Sequence, residues 1–103
     1  METGFHRAAA LADLMDGRSV EVEVGNMPFL LHRRGAEVFA TGIHCPHAEV
    51  RLDPNNCFGD EIVCKAHGYR SNIRTGQCMN DPDIALATYP TRIEAGEVWV
   101  KLF

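Results

Sequence analysis

Two short segments of the chain each carry a cysteine and a histidine at close spacing. The segment HCPHAEV contains Cys45 and His47, and the segment VCKAHGY contains Cys64 and His67. A thiolate and an imidazole from each segment make four ligands of soft to borderline character. Such ligands suit zinc or an iron–sulfur cluster, whereas magnesium and calcium prefer oxygen ligands. The residue types and their spacing therefore predict a metal or cluster site built from two loops.

Three readings without an iron–sulfur cluster compete for these residues. A Cys2His2 zinc site has suitable ligands, but the common zinc finger groups its two cysteines on one side and its two histidines on the other. A catalytic Cys–His pair is disfavoured because close sequence neighbours seldom have the required geometry, and a second copy would be unexplained. Buried cysteines beside exposed histidines explain single residues better than two matched pairs in Gly- and Pro-containing loops.

The fourth reading is a [2Fe–2S] cluster in which two histidines replace two cysteines on one iron. The order is C-x-H, then sixteen residues, then C-x-x-H, so each segment supplies one cysteine and one histidine. Both cysteines would bind one iron and both histidines the other. This reading accounts for the whole pattern, and zinc remains the alternative.

Alternating strands precede the two segments. Residues 19–25 alternate valine with serine or glutamate, which is the period of a half-buried strand. Residues 27–33 and 36–42 each follow a glycine-containing turn, so the three segments predict a β-meander. Residues 8–16 predict one short helix that ends at Gly17.

The sequence changes character over residues 43–81. This stretch is rich in Gly, Pro, Asn and Asp, and it holds all four cysteines and three of the five histidines. A short strand is predicted within it at 61–64, and residues 71–77 predict a strand that runs into a Thr-Gly turn. The chain ends in a hairpin in which Val98 and Val100 face one way. We therefore predict an all-β fold, an antiparallel β-sandwich or meander with an inserted cluster-binding subdomain.

Length and composition limit the classes of function that are possible. The 103 residues predict a single domain over 1–103, and 46% apolar with 23% charged residues is ordinary globular composition. A net charge of −4 argues against a nucleic-acid partner, and no apolar run is long enough to span a membrane. Without an export signal we expect a cytoplasmic location, where thiols stay reduced unless they bind metal or do redox work.

The chain resembles the Rieske-type [2Fe–2S] ferredoxins, which are small electron carriers of bacterial oxygenase systems. The resemblance covers nearly the full length, including GIHCPHAEVRL, EIVCKAHGYRSNIRTGQC, the DPD segment, ATYP and the terminal GEVWVKLF. It implies the Rieske iron–sulfur fold and one [2Fe–2S] cluster per chain. The implied ligands are Cys45, His47, Cys64 and His67, with the histidine-bound iron near the surface as the electron exit.

The resemblance also implies an electron-transfer protein with no catalytic residues of its own. Such a carrier takes one electron at a time from a flavin-dependent NAD(P)H reductase and passes it to a terminal oxygenase. Both complexes would be transient, and the carrier itself monomeric. The alternative is a small Rieske-like subunit of a nitrite reductase or of another larger redox complex.

Two positions separate this chain from another Rieske class. In the Rieske proteins of respiratory and photosynthetic complexes a disulfide ties the two cluster loops together. Val50 and Ala66 occupy the corresponding positions here. The resemblance therefore favours a ferredoxin, with a reduction potential toward the bottom of the Rieske range of about −150 to +300 mV.

Several residues in the inserted region have roles that the sequence leaves open. Ser71 stands where these ferredoxins commonly carry an aromatic residue, and its hydroxyl either donates to the cluster or faces water. Cys78 is expected to be buried and Cys57 to be an exposed thiol, with nothing to support a disulfide between them. His44 adjoins Cys45 but falls outside the ligand pattern.

Overall fold

The computed structural model describes residues 4–45, 50–66 and 68–101. Within these ranges ten antiparallel β-strands form three sheets, which confirms the predicted all-β class. The described ranges contain two short 3₁₀ helices, and neither has the length or apolar character that crossing a membrane requires. The strands are β1 Phe5–Ala10, β2 Ser19–Val24, β3 Met27–Arg34, β4 Glu37–Thr41, β5 Cys57–Phe58, β6 Glu61–Val63, β7 Arg70–Asn72, β8 Thr88–Tyr89, β9 Thr91–Glu94 and β10 Glu97–Lys101.

The predicted meander forms most of a four-stranded sheet with the order β2-β3-β4-β8. Strand β2 pairs with β3 over six positions, and β3 pairs with β4 over five. The connecting turns contain Gly25 and Gly35, each with a φ of 64°, which lies in the left-handed region that favours glycine. All three strands predicted between residues 19 and 42 are thereby confirmed.

Strand β3 lies between two cores and is buried on both faces. Because side chains alternate along a strand, Phe29 and Leu31 enter one core with Val98 and Val100 of β10. Leu30 points the other way, into the core of the inserted region. The inserted region therefore packs against the meander through β3.

The prediction of a helix at residues 8–16 is wrong. Strand β1 (Phe5–Ala10) pairs along β10, and the Leu11 N–H donates to the Gly96 carbonyl at 2.9 Å. Within residues 8–16 only Leu11–Asp13 is helical, as a short 3₁₀ helix. The high helix propensity of alanine is overridden because these backbone groups pair with a strand at the other end of the chain.

The hairpin predicted near the C-terminal end is confirmed as β9 and β10. Val98 and Val100 are fully buried on one side of β10, and Trp99 between them is half-buried. The turn uses Ala95 and Gly96, both with positive φ, as a two-residue hairpin turn of type I′ requires. This hairpin and β1 form the second sheet, β1-β10-β9.

The inserted region lies between β4 and β8 and contains the third sheet, β5-β6-β7. The region extends to residue 87, beyond the predicted end at residue 81, because the Leu86 N–H donates to the Gly76 carbonyl at 2.6 Å. Gly76 has a φ of 80°, and a Cβ there would lie 2.2 Å from the Leu86 oxygen. Only glycine fits that approach, which closes the far end of the insertion.

Candidate metal centre

The two cysteine segments are closed by the same backbone hydrogen bond. The Cys45 N–H donates to the Val50 carbonyl at 2.8 Å, and the Cys64 N–H donates to the Tyr69 carbonyl at 2.8 Å. In each segment the cysteine is the first residue and the acceptor is the sixth. We call residues 45–50 the first loop and residues 64–69 the second loop. The chain thus presents its two cysteines at the same position of two loops of equal length.

Each loop grows from a pair of strand-like segments. At the base of the first loop His44 bridges Arg51, and the Leu52 N–H donates to the Ile43 carbonyl at 2.6 Å. The second loop joins β6 to β7. Its Gly68 has a φ of 71° and donates its N–H to the Cys64 carbonyl at 2.8 Å. Glycine is needed there for the left-handed backbone rather than for lack of space, because nothing lies near the position of a Cβ.

Cys45 and Cys64 enter the same apolar core. Their exposed fractions are 4% and 1%, and they share that core with Leu30, Leu52 and Ile62 among others. Neither forms a disulfide. Such burial disfavours the catalytic reading, since a reactive thiol must meet its substrate. Two buried cysteines from matching loops fit the thiolate half of a [2Fe–2S] cluster that has its cysteines on one iron.

The two predicted histidine ligands, His47 and His67, lie outside the described residues. Across residues 4–45, 50–66 and 68–101, no group of three or more His, Cys, Asp or Glu side chains is arranged to hold a metal ion. Ala66 and Gly68, the neighbours of His67, are both exposed. The described part of the site is therefore its buried cysteine side and the exposed rim of the second loop.

His44 and Cys45 differ in exposure, although they are adjacent. Cys45 is buried, whereas His44 is exposed and lines a shallow cleft of about 320 Å³ with Met27 and Leu86. Consecutive residues of an extended chain point to opposite sides, which accounts for the contrast. His44 thus lies on the surface side of the first loop.

The other two cysteines lie at the ends of one row across the third sheet. The row runs Cys57, Ile62, Ser71 and Cys78, each paired with the next. Three strand spacings separate its ends by about 14 Å, whereas a disulfide needs Cα atoms within about 7 Å. No disulfide joins the four cysteines, all of which lie within the described ranges.

The burial of Cys78, Ser71 and Cys57 limits the roles that the sequence left open for these residues. Cys78 is 1% exposed, so its predicted packing role is confirmed. Ser71 is 3% exposed, so its side chain does not face water. Cys57 is half-buried, less open than expected, and Arg34 Nη2 lies 3.1 Å from its sulfur.

The segment between the loops carries two contacts that sequence reasoning missed. Lys65 Nζ, next to Cys64, lies 2.6 Å from Asp53 Oδ2. The hydrogen bond from Lys65, helped by the Asn55 N–H, holds the pKa of the Asp53 carboxyl below its usual range. Asn56 Nδ2 donates to the Val63 carbonyl at 2.8 Å. An Asp-Pro pair that could open a helical turn was the only signal in the sequence for this segment.

Comparison with known proteins gives a consistent result. A family model described as Rieske [2Fe-2S] domain matches residues 4–90. The ferredoxin component of the naphthalene 1,2-dioxygenase system of Pseudomonas putida is 31% identical over 103 residues, which is 99% of each chain.

Solved structures agree with the sequence relatives. The Sphingomonas yanoikuyae B1 ferredoxin superimposes with a TM-score of 0.82 at 31% identity, covering 95% of this chain and 98% of that one. A chain from the complex of reduced oxygenase and oxidized ferredoxin in carbazole 1,9a-dioxygenase gives 0.81 at 28% identity, with 97% and 94% covered. A nitrite reductase small subunit gives 0.81 at 18% identity, covering 93% and 96%, a likeness that shows the fold alone.

Proposed function

Because this chain belongs to the Rieske [2Fe-2S] family, we propose that Cys45, His47, Cys64 and His67 are the ligands of its cluster. Both cysteines would bind one iron and both histidines the other. The observation that carries this assignment is the matched pair of loops, which places two buried cysteines in one core. We also propose that residues 1–103 form one Rieske domain.

The chain carries electrons as the ferredoxin component of an oxygenase system and is not itself a catalytic enzyme. We propose that its electron donor is a flavin-dependent NAD(P)H reductase and that its acceptor is a terminal oxygenase. We further propose that it acts as a cytoplasmic monomer in transient complexes. A nitrite reductase partner is less well supported, because the similarity to that subunit extends only to the fold.

When bound, the cluster supplies one reversible one-electron step. The residues of the chain determine where that step is accessible. Cys45 and Cys64 hold the thiolate side within apolar packing and away from water. Ala66 and Gly68 are exposed on either side of His67, which supports an electron exit on the histidine side. With this arrangement the electron can leave through the histidine side at the surface, while the packing around Cys45 and Cys64 stays unchanged.

The ligand assignment is tested by replacing single histidines. We expect His47→Ala and His67→Ala to abolish the cluster absorbance and the signal of the reduced protein in electron paramagnetic resonance (EPR). His44→Ala is the matched control, since it changes the same residue type immediately before the first loop and should leave two nitrogen couplings on the cluster. Loss of the cluster in His44→Ala, with retention in His47→Ala, would contradict the assignment.

The direction of electron flow is tested by rapid mixing. Protein reduced under anaerobic conditions should be reoxidised by the terminal oxygenase of its own organism at a rate that rises with oxygenase concentration. The control is the same mixing without the oxygenase. If the reduced protein transfers electrons only to a nitrite reductase flavoprotein, the alternative partner is correct and the oxygenase proposal fails.

A further inference from the structure

The short segment from Asp53 to Asn56 contacts the chain on both sides of Cys64, at the end of β6 and in the second loop. On one side the Asp53 carboxylate meets Lys65, and on the other the Asn56 amide meets Val63. These contacts come from one 3₁₀ helix, Pro54–Asn56, and its N-cap residue Asp53. One turn with its N-cap thus contacts the residue before the second cysteine and the residue after it.

The Asp53 side chain is fixed from two directions. Its Oδ2 lies 2.6 Å from Lys65 Nζ, and its Oδ1 accepts the Asn55 N–H at 2.8 Å. The turn is also closed by the backbone, because the Asn56 N–H donates to the Asp53 carbonyl at 2.9 Å. The carboxylate is therefore oriented toward the second loop by its own turn before Lys65 binds it.

The same turn is anchored to the first loop. Leu52, which immediately precedes Asp53, is 4% exposed and packs in the core that holds Cys45 and Cys64. Its N–H donates to the Ile43 carbonyl, two residues before Cys45. A continuous path of packing and hydrogen bonds thus runs from the base of the first loop, through the turn, to the second loop.

We propose that Asp53 and Asn56 are positioning residues that clamp the second loop to the base of the first loop and set the spacing of the two cysteines. This inference rests on the proposed ligands. Without the clamp, the chain would have to order two separate loops when the cluster binds, and ordering flexible loops costs free energy. The clamp orders them in advance.

The clamp also places two opposite charges next to Cys64, a proposed cluster ligand. An electron adds negative charge, so an unbalanced Lys65 ammonium favours the reduced state and an unbalanced Asp53 carboxylate favours the oxidised state. Asp53→Asn should therefore raise the reduction potential, and Lys65→Gln should lower it. A purely structural support would give no such opposite shifts.

The experiment compares Asp53→Asn, Lys65→Gln and their double variant as iron-loaded proteins. An iron chelator is added, and the loss of cluster absorbance is followed over time. Exposed ion pairs are individually weak, so each single substitution should speed cluster loss by about two- to fivefold. Because both substitutions break the same ion pair, the double variant should lose its cluster no faster than either single variant. Lys65→Arg should restore the parent rate, and Asn56→Ala should act independently of Lys65.

Arg70→Gln provides the matched control. The Arg70–Glu61 ion pair has similar exposure, 59% and 34% against 63% and 30% for Lys65–Asp53, but it joins β6 to β7 and does not involve the segment Asp53–Asn56. Its cluster-loss rate should equal that of the parent. The clamp is refuted if Asp53→Asn loses its cluster no faster than Arg70→Gln, or if the potentials of Asp53→Asn and Lys65→Gln move in the same direction. A parent protein without a cluster overturns the proposed function as well, whereas a stable parent with unaffected variants overturns the clamp alone.

Discussion

The sheets β2-β3-β4-β8 and β1-β10-β9 together form what we call the base of the molecule. The base and the inserted region differ in the extent of backbone pairing between their strands. In the base, β2 and β3 pair over six positions. In the insertion, β5 and β6 pair over two positions and β6 and β7 over three. Sheets with so little pairing depend on their packing. The base should thus fold by its own contacts, whereas the insertion needs its core, its links to the base and its bound group.

Arginines supply much of the polar connection between the two regions. Arg34, at the end of β3, donates to the Gly59 carbonyl at 2.8 Å and also meets the Cys57 sulfur. Arg74 pairs with Asp60 at 2.9 Å within the insertion, and its guanidinium lies 4.6 Å from the centre of the Phe39 ring in β4. The insertion is therefore fastened to the base near β5 as well as through Leu30.

The largest expected effect is the loss of a cysteine ligand. Cys45→Ala should prevent cluster binding, because the remaining ligands cannot complete the coordination of both irons. Hydrogen exchange followed by mass spectrometry should then show faster exchange in β5, β6 and β7, with β2, β3 and β4 unchanged. Equal acceleration in both regions would contradict the independence of the base.

The next effect concerns a buried polar network that crosses the base. His32 is fully buried, with Ser19 Oγ 2.6 Å from its Nδ1 and Thr41 Oγ1 2.9 Å from its Nε2. His32→Leu removes both hydrogen bonds at once and leaves the buried Ser19 and Thr41 hydroxyls without the imidazole, so we expect the free energy of unfolding of the base to fall by about 3 kcal/mol in denaturant titration. The triple variant Ser19→Ala, His32→Leu, Thr41→Val should recover part of this loss, and a smaller loss in His32→Leu than in the triple variant would argue against the network.

The same histidine predicts a pH dependence of the base. Burial, together with the charge of Arg34, lowers the pKa of His32 to about 3, from an ordinary value of 6.5. Between these values the unfolded chain binds a proton that the folded protein does not, so stability falls as the pH decreases below 6.5. At pH 5 the expected loss is about 2 kcal/mol, from 1.5 pH units at 1.36 kcal/mol each.

Thermal or denaturant unfolding at pH 7 and pH 5 checks this expectation. The His32→Leu variant is the control, since it should lose this part of the pH dependence. If the variant and the parent lose the same free energy between the two values, His32 is not the group responsible.

The smallest of these effects concerns the fastening of the insertion. Arg34→Met removes the donors to Gly59 and Cys57, and it should destabilise the insertion by about 1–2 kcal/mol. Arg34→Lys should recover little, because a single ammonium cannot reproduce the fork of the guanidinium. Hydrogen exchange in β5 is the readout, and an effect confined to β2 would contradict a linking role.

The sequence predicted the strands where the local pattern and the paired structure agree. Residues 19–42 alternate and are punctuated by Gly25 and Gly35, so both pattern and turn chemistry gave the observed meander. The first strand was missed because Ala8, Ala9 and Ala10 favour a helix locally. Their pairing with β10 depends on residues about ninety positions away, which no local pattern contains.

The site was predictable to the extent that it depends on residue type and spacing. Cys45 and Cys64 followed from the motif, and their burial in one core agrees with it. The contacts of Asp53 and Arg34 were not predictable, because each joins residues at least twelve positions apart, and either side chain read alone is an ordinary solvated charge. The burial of His32 likewise required three strands to be placed side by side.

The most direct test of the account is EPR of the dithionite-reduced protein together with metal analysis. The account predicts two irons and two sulfides per chain, with one electron taken up. It also predicts an average g value below that of clusters with four cysteine ligands, because two ligands are nitrogen. A colourless protein that contains zinc and no iron, and gives no signal on reduction, would contradict it.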